Sequence, residues 1–141
     1  MVGSRIRQTP VKYLDGWNEA RRRAAQRYNE LLMDLPVTTP YESPDSYHVY
    51  HQYTIRAPQR DALTAYLKER GIGTMIYYPV SLHLQGLYAS LGCGEGSLPA
   101  SEAASREVLS LPVYPELTEA QQVAVARAMR EFYSLAYAHS E

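Results

Sequence analysis

The residues with most chemical capacity lie in Gly73-Thr-Met-Ile-Tyr-Tyr-Pro-Val-Ser-Leu-His-Leu-Gln85, where a short β-type run meets Tyr77, Tyr78, a proline, His83 and Gln85. Two phenols, an imidazole and a carboxamide offer flat faces and hydrogen-bonding groups together. That combination suits a polar, ring-bearing ligand such as a sugar or a nucleotide. Ordinary packing explains the same residues almost as well, because a histidine in a small domain commonly serves as a hydrogen-bonded structural group. Other sites are weaker. His48 and His51 are three apart, which on a strand puts them on opposite faces and disfavours joint metal chelation. No HExxH, CxxC, GxSxG or phosphate-loop pattern occurs. The carboxylates are scattered, with no pair suited to glycoside hydrolysis. Arg56, at a strand end, reads as a snorkelling side chain before an anion contact. Cys93 stands alone in Leu91-Gly-Cys-Gly-Glu-Gly96, which excludes an internal disulfide framework and reads as an incidental loop thiol.

The elements that must position these groups follow from periodicity. From Tyr13 to Leu35, apolar residues recur at steps of three and four (Leu14, Trp17, Ala20, Ala24, Tyr28, Leu31, Leu35), which predicts an amphipathic helix stopped by Pro36. Residues 36–46 form a proline-rich loop. Tyr47–Arg56 is predicted as a strand with Tyr47, Val49, His51, Tyr53 and Ile55 facing inward. A helix after Pro58 carries Leu63, Tyr66 and Leu67 and stops at Gly71. Gly73–Tyr78 is the next strand, and residues 88–98 form a glycine-rich loop. Pro99 to about Val108 is predicted helical, and Leu109–Val113 is a short buried strand. Thr118-x-x-Gln121 opens the last helix as a capping box, with Val125, Met129 and Phe132 along its buried stripe. Three short strands interleaved with helices predict a two-layer α/β sandwich.

Bulk composition bounds the function. The chain has 141 residues, 45% of them hydrophobic and 21% charged, which describes a globular domain. No apolar run approaches the roughly 20 residues of a bilayer span, and the first ten residues lack a secretory h-region. A cytoplasmic location is therefore expected. With a net charge of −1 there is no overall attraction to nucleic acid or anionic lipid. The basic cluster of Arg21, Arg22, Arg23 and Arg27 shares its helix with Glu19 and Glu30 and reads as a solvated face. Thirteen tyrosines against one phenylalanine favour surfaces that are apolar and hydrogen-bonding at once. Only two lysines occur, Lys12 and Lys68.

Five segments, in order and with consistent spacing, carry a family resemblance: Lys12-Tyr-Leu-Asp-Gly-Trp-Asn-Glu-Ala-Arg-Arg22 with Ala25-x-x-Tyr28; Tyr47-His-Val-Tyr-His-Gln-Tyr-Thr-Ile-Arg56; Leu67-x-x-Arg-Gly-Ile-Gly73; Tyr77-Tyr-Pro-Val-Ser-Leu-His-Leu-Gln85; and Leu109-Ser-Leu-Pro-Val-Tyr-Pro-Glu-Leu-Thr118. Together they resemble the C-terminal part of the DegT/DnrJ/StrS family of PLP-dependent sugar aminotransferases, over about Val11 to Tyr133. The resemblance implies a non-family lead-in at 1–10, expected to be disordered, and a linking helix at 11–35. It further implies a small domain of the type I aminotransferase kind at 36–135, then a tail at 136–141. It implies a dimeric parent enzyme that moves an amino group, usually from glutamate, onto a nucleotide-linked keto-sugar. Tyr77, Tyr78, His83 and Gln85 become substrate-side candidates, with His51 and Tyr53 as weaker ones; some members have His where this chain has Tyr77. The family's Schiff-base lysine has no match at Lys12 or Lys68, and its cofactor-binding large domain lies upstream of the matched segments. The resemblance therefore implies a fragment that binds no PLP alone and catalyses nothing alone. The alternatives are a sugar-nucleotide-binding module without chemistry, and a piece that self-associates or completes a separate large domain, through apolar surface left exposed along Trp17, Ala24 and Tyr28.

Overall fold

The computed structural model describes residues 11–138; the expected lead-in at 1–10 and the last three residues of the tail lie outside them. The elements are α1 (Val11–Leu31), β1 (Tyr53–Arg56), α2 (Arg60–Glu69), α3 (Pro99–Glu107), β2 (Val108–Leu111) and α4 (Glu119–Ala138), with two 3₁₀ turns at Leu82–Leu84 and Gly86–Leu91. Strands β1 and β2 pair antiparallel, with Thr54 opposite Ser110 and Ile55 opposite Leu109. The α/β class holds, and the predicted third strand does not. At Gly73–Tyr78 only Met75 joins the sheet, exchanging both backbone hydrogen bonds with Ser110 (3.1 and 2.8 Å). Pro79 and the turn into Leu82 carry the chain away before a ladder can grow.

The first strand is also shorter than predicted, beginning at Tyr53 instead of Tyr47. Residues 47–52 have other hydrogen-bond partners. The His48 amide donates to Glu42 (2.8 Å), and the Tyr50 amide donates to His48 Nδ1 (2.9 Å). Arg22 pairs with Glu42 and donates to the His48 carbonyl, and Arg21 donates to the Val49 carbonyl. Side-chain bonds of this kind compete with a sheet ladder for the backbone. Tyr50 adopts a left-handed φ of 45°, which breaks the alternation. Tyr47, Val49 and His51 are consequently exposed, Tyr53 and Ile55 remain inward as predicted, and Tyr50 is buried.

The core gathers Ala25, Tyr28 and Leu32 of α1 and its end, Tyr53 and Ile55 of β1, Leu63 and Leu67 of α2, Leu109 and Leu111 of β2, and Val125, Met129 and Phe132 of α4. Ala24 and Tyr28, expected on an exposed association surface, are buried at 3% and 0% exposure, whereas Trp17 is 38% exposed. The reason is α4, which packs along the second half of α1. Its Gln122 donates to the Ala24 carbonyl (2.7 Å) and accepts from Arg27 (3.0 Å), while Arg130 clasps Asp34 at the other end. Three of the four clustered arginines thus fasten α1 to its neighbours.

Tyrosines serve the core by burying the ring and bonding the hydroxyl at its edge. Tyr28 donates to the Pro112 carbonyl, Tyr53 to Asn29 (2.6 Å) and Tyr133 to the Pro58 carbonyl. Burial pushes the Tyr28 and Tyr53 phenols well above the usual range. The capping box forms as predicted: the Thr118 amide donates to Gln121 Oε1 and the Gln121 amide to Thr118 Oγ1.

Helix α2 ends in a Schellman motif, with the Ile72 amide on the Leu67 carbonyl and the Gly71 amide on the Lys68 carbonyl, both at 3.0 Å. Gly71 sits at φ +73°, where a Cβ is strained although nothing lies within 4 Å of it. Gly71→Ala is expected to cost about 1 kcal/mol, read as a lower urea midpoint at unchanged slope. An unchanged midpoint would show that the turn relaxes.

Candidate functional site

Tyr77 and Tyr78 stand where the chain leaves the Met75 bridge, with ring centroids 5.9 Å apart, edge to face. Their connecting peptide is cis. Tyr78 is 73% exposed and Tyr77 37%. Beneath them lies a cleft of about 280 Å³ bordered by Val80, Ser81 and Leu82 on one side and Ser101, Ala104 and Ser105 of α3 on the other. Tyr77 also borders a second cleft of about 170 Å³ with His51, Gly73 and Met75. The structure therefore joins Tyr77 to Tyr78 on one side and to His51 on the other. Apolar faces beside serine hydroxyls and an imidazole form a surface that can stack a ring and hydrogen-bond its substituents.

The remaining candidates are placed differently. His83 points away from free solvent, its side chain 8% exposed, and its Nε2 lies 2.9 Å from Oε1 of Glu102. Gln85 is exposed beyond the cleft, its backbone shared between the two 3₁₀ turns. Tyr53 is fully buried between Tyr28 and Tyr50, at centroid distances of 5.0 and 6.3 Å. The ring of His48 packs on Tyr50 at 4.3 Å. Cys93 is exposed, and no group of three or more His, Cys, Asp or Glu side chains among the described residues could hold a metal ion.

Glu102 is the residue that pattern reading missed. It is 3% exposed in the first turn of α3, where the helix N-terminus favours a carboxylate. It accepts the Gly96 amide (2.9 and 3.0 Å), the Leu98 amide (3.2 Å) and His83. The reach back to the amide of Leu98, the residue preceding the helix, comes from the fourth helical position, one beyond that of a capping-box acid, and it satisfies an amide at the helix start. An acid alone in the apolar first turn Pro99-Ala-Ser-Glu102, after a glycine-rich loop, was the available signal.

The Gly96 amide first, then His83, hold the Glu102 carboxyl below its ordinary value of 4.5. A carboxylate depressed on folding contributes its full stabilisation above the unfolded value and loses it as pH falls through the folded one. The Gly96 and Leu98 amide signals are thus expected to follow one carboxyl titration whose midpoint lies below 4.5. A midpoint at or above 4.5 in an NMR pH series would contradict these bonds.

Comparison with known proteins identifies the family. Residues 4–130 match the family described as the DegT/DnrJ/EryC1/StrS aminotransferase family. The pleiotropic regulatory protein of Geobacillus stearothermophilus is 55% identical over 124 residues, which is 86% of this chain and 33% of that protein. The dTDP-3-amino-3,4,6-trideoxy-alpha-D-glucose transaminase of Streptomyces venezuelae is 42% identical over 123 residues, 86% of this chain and 32% of its own. The crystal structure of S. venezuelae DesV in complex with a ketimine intermediate superposes with a TM-score of 0.83 at 41% identity, over 86% of this chain and 33% of that one. The chain spans about a third of the length of these relatives.

Proposed function

We propose that this chain, which belongs to the DegT/DnrJ/EryC1/StrS aminotransferase family, forms the sugar-nucleotide-facing rim of a PLP-dependent aminotransferase and has no amino-transfer centre of its own. The observation that carries this reading is the exposed Tyr77–Tyr78 pair over a hydroxyl-bordered cleft, with His51 in the adjoining one. The transaminase named for a dTDP-linked sugar shares 42% of its residues with this chain over the matched region, which supports a nucleotide-sugar as ligand. Tyr77, Tyr78 and His51 are assigned to the ligand face. His83 supports the cleft from behind, and Tyr53 anchors β1 to α1 from the core. Gln85 is exposed and lines neither cleft, so its place on the ligand face rests on the family resemblance alone.

Covalent PLP chemistry needs an amine placed to form a Schiff base. Lys12 lies on the exposed first turn of α1, over the Tyr13 ring, and Lys68 on the exposed last turn of α2. Neither borders the clefts at Tyr77. These residues do not fit the cofactor, so no catalytic step is assigned to them. In domain terms, α1 serves as the linking helix and residues 36–135 as the small domain, with the second half of α1 sharing its core.

The first half of α1 supports a role in association: Val11, Tyr13, Leu14 and Trp17 are exposed at 72, 51, 46 and 38%. Apolar residues gathered on one helix favour contact with a second copy or an aminotransferase large domain. Among the described residues no helix is long and apolar enough to cross a membrane.

Titration of the 141-residue chain with dTDP-glucose, followed by amide shifts, tests the rim. Saturable shifts at Tyr77, Tyr78 and His51 are expected. No shift at millimolar ligand would remove the binding assignment. Tighter binding once a lysine-bearing aminotransferase large domain is added would favour the rim, and an affinity unchanged by that addition the alternative of a stand-alone, non-catalytic binding module.

A further inference from the structure

We infer that Glu102 is a positioning residue that sets the spacing of the two walls of the Tyr77–Tyr78 cleft. One wall is the segment 77–82; the other is the face of α3 that carries Ser101, Ala104 and Ser105. Two side-chain ties join them. Ser101 Oγ donates to Ser81 Oγ at 3.2 Å, and Glu102 takes Nε2 of His83 at 2.9 Å. Ser81 and Ser101 line the cleft, and Glu102 and His83 lie just behind them, both with side chains under 10% exposed. Bonds shielded from water in this way hold geometry better than exposed ones.

The same carboxylate fastens the loop that connects the two walls, residues 84–98. Leu87 and Leu91 of that loop are 81 and 68% exposed. Apart from the Gly96 and Leu98 amides on Glu102, the described hydrogen bonds within 84–98 are local, reaching back no further than Ser81. One ionised group therefore gathers His83, the 96–98 turn and the N-terminus of α3. Without it, the side-chain ties between segment 77–83 and α3 reduce to the single serine pair, with the Met75–Ser110 bridge fixing only the start of the segment.

That the cleft takes a ligand rests on the function proposed above; the clamp does not. The test compares wild type with Glu102→Ala and Glu102→Gln by amide hydrogen exchange, amide shifts and dTDP-glucose titration. In Glu102→Ala, exchange at Gly96 and Leu98 is expected to rise about tenfold, while the β1–β2 amides keep their protection. The Tyr77, Tyr78 and Ser81 signals should move, and dTDP-glucose should bind about tenfold more weakly. Glu102→Gln keeps an acceptor and the side-chain shape, so it should recover part of each effect, and it replaces the alanine variant if that one fails to fold. Unchanged exchange at Gly96 and Leu98, or unchanged Tyr77 and Tyr78 signals, would each overturn the inference; unchanged affinity beside altered exchange and signals would overturn the proposed ligand face instead. If wild type itself ignores dTDP-glucose, the proposed rim fails, and the exchange and shift data still decide the clamp.

Discussion

Leu67→Ala is expected to destabilise the fold by about 2–5 kcal/mol, a large share of the roughly 5–15 kcal/mol that holds a domain together. Leu67 is fully buried in the cluster that joins α2 to the sheet and α4. The cluster it belongs to cannot close over the gap easily. Ile55 and Leu109 are held opposite each other in the sheet, Met129 lies on a helix of 20 residues, and the Leu67 carbonyl is itself bonded by the Ile72 amide. A void lined by such fixed groups keeps its full cost. Chemical denaturation at unchanged slope measures it. A loss below about 1 kcal/mol would mean that the site collapses around alanine, and that α2 is packed less tightly than described.

The double variant Tyr77→Ala with Tyr78→Ala is expected to lose dTDP-glucose binding by about two orders of magnitude, since each aromatic face stacked on a base is worth roughly 1–3 kcal/mol. Tyr78 contributes little to the core at 73% exposure, and surface substitutions of this sort typically change stability by about 0.5 kcal/mol or less. Tyr77 is more enclosed, bordering both clefts, so its single variant is expected to carry the larger loss. The β1–β2 amide signals should stay in place, which separates lost binding from lost folding. Retained affinity in the double variant would mean that the ligand face lies elsewhere on the chain.

What the amino-acid pattern reveals and what it conceals divide along physical lines. The stripe of α1, the Gly71 stop, the Thr118 capping box and the inward Tyr53 and Ile55 depend on neighbours within a turn or an alternation, so they are legible residue by residue. Tyr47–Gln52 has a strand's composition, yet its backbone is taken by Glu42, His48, Arg21 and Arg22, and contacts from a loop and a distant helix leave no mark in local periodicity. Ala24 and Tyr28 are recognisable as apolar, but their burial is decided by α4, nearly a hundred residues on from Ala24, and by Tyr53 of β1 against Tyr28. At the candidate site, the crowding of Tyr77 and Tyr78 beside Pro79 is plain from the sequence. The engagement of His83 was not, because its partner Glu102 sits 19 residues on, in a helix whose composition looks unremarkable. The ordered set of five segments carried the family assignment, and the match over residues 4–130 bears it out.

The central claim is that this chain offers a ligand face without an amine able to hold the cofactor. Incubation of the 141-residue chain with pyridoxal phosphate, borohydride reduction and peptide mass analysis tests it directly. The expected result is at most scattered, substoichiometric labelling of Lys12 and Lys68, with no amino transfer from L-glutamate to a dTDP-keto-sugar. One equivalent of pyridoxyl group on a single lysine, accompanied by that transfer, would contradict it.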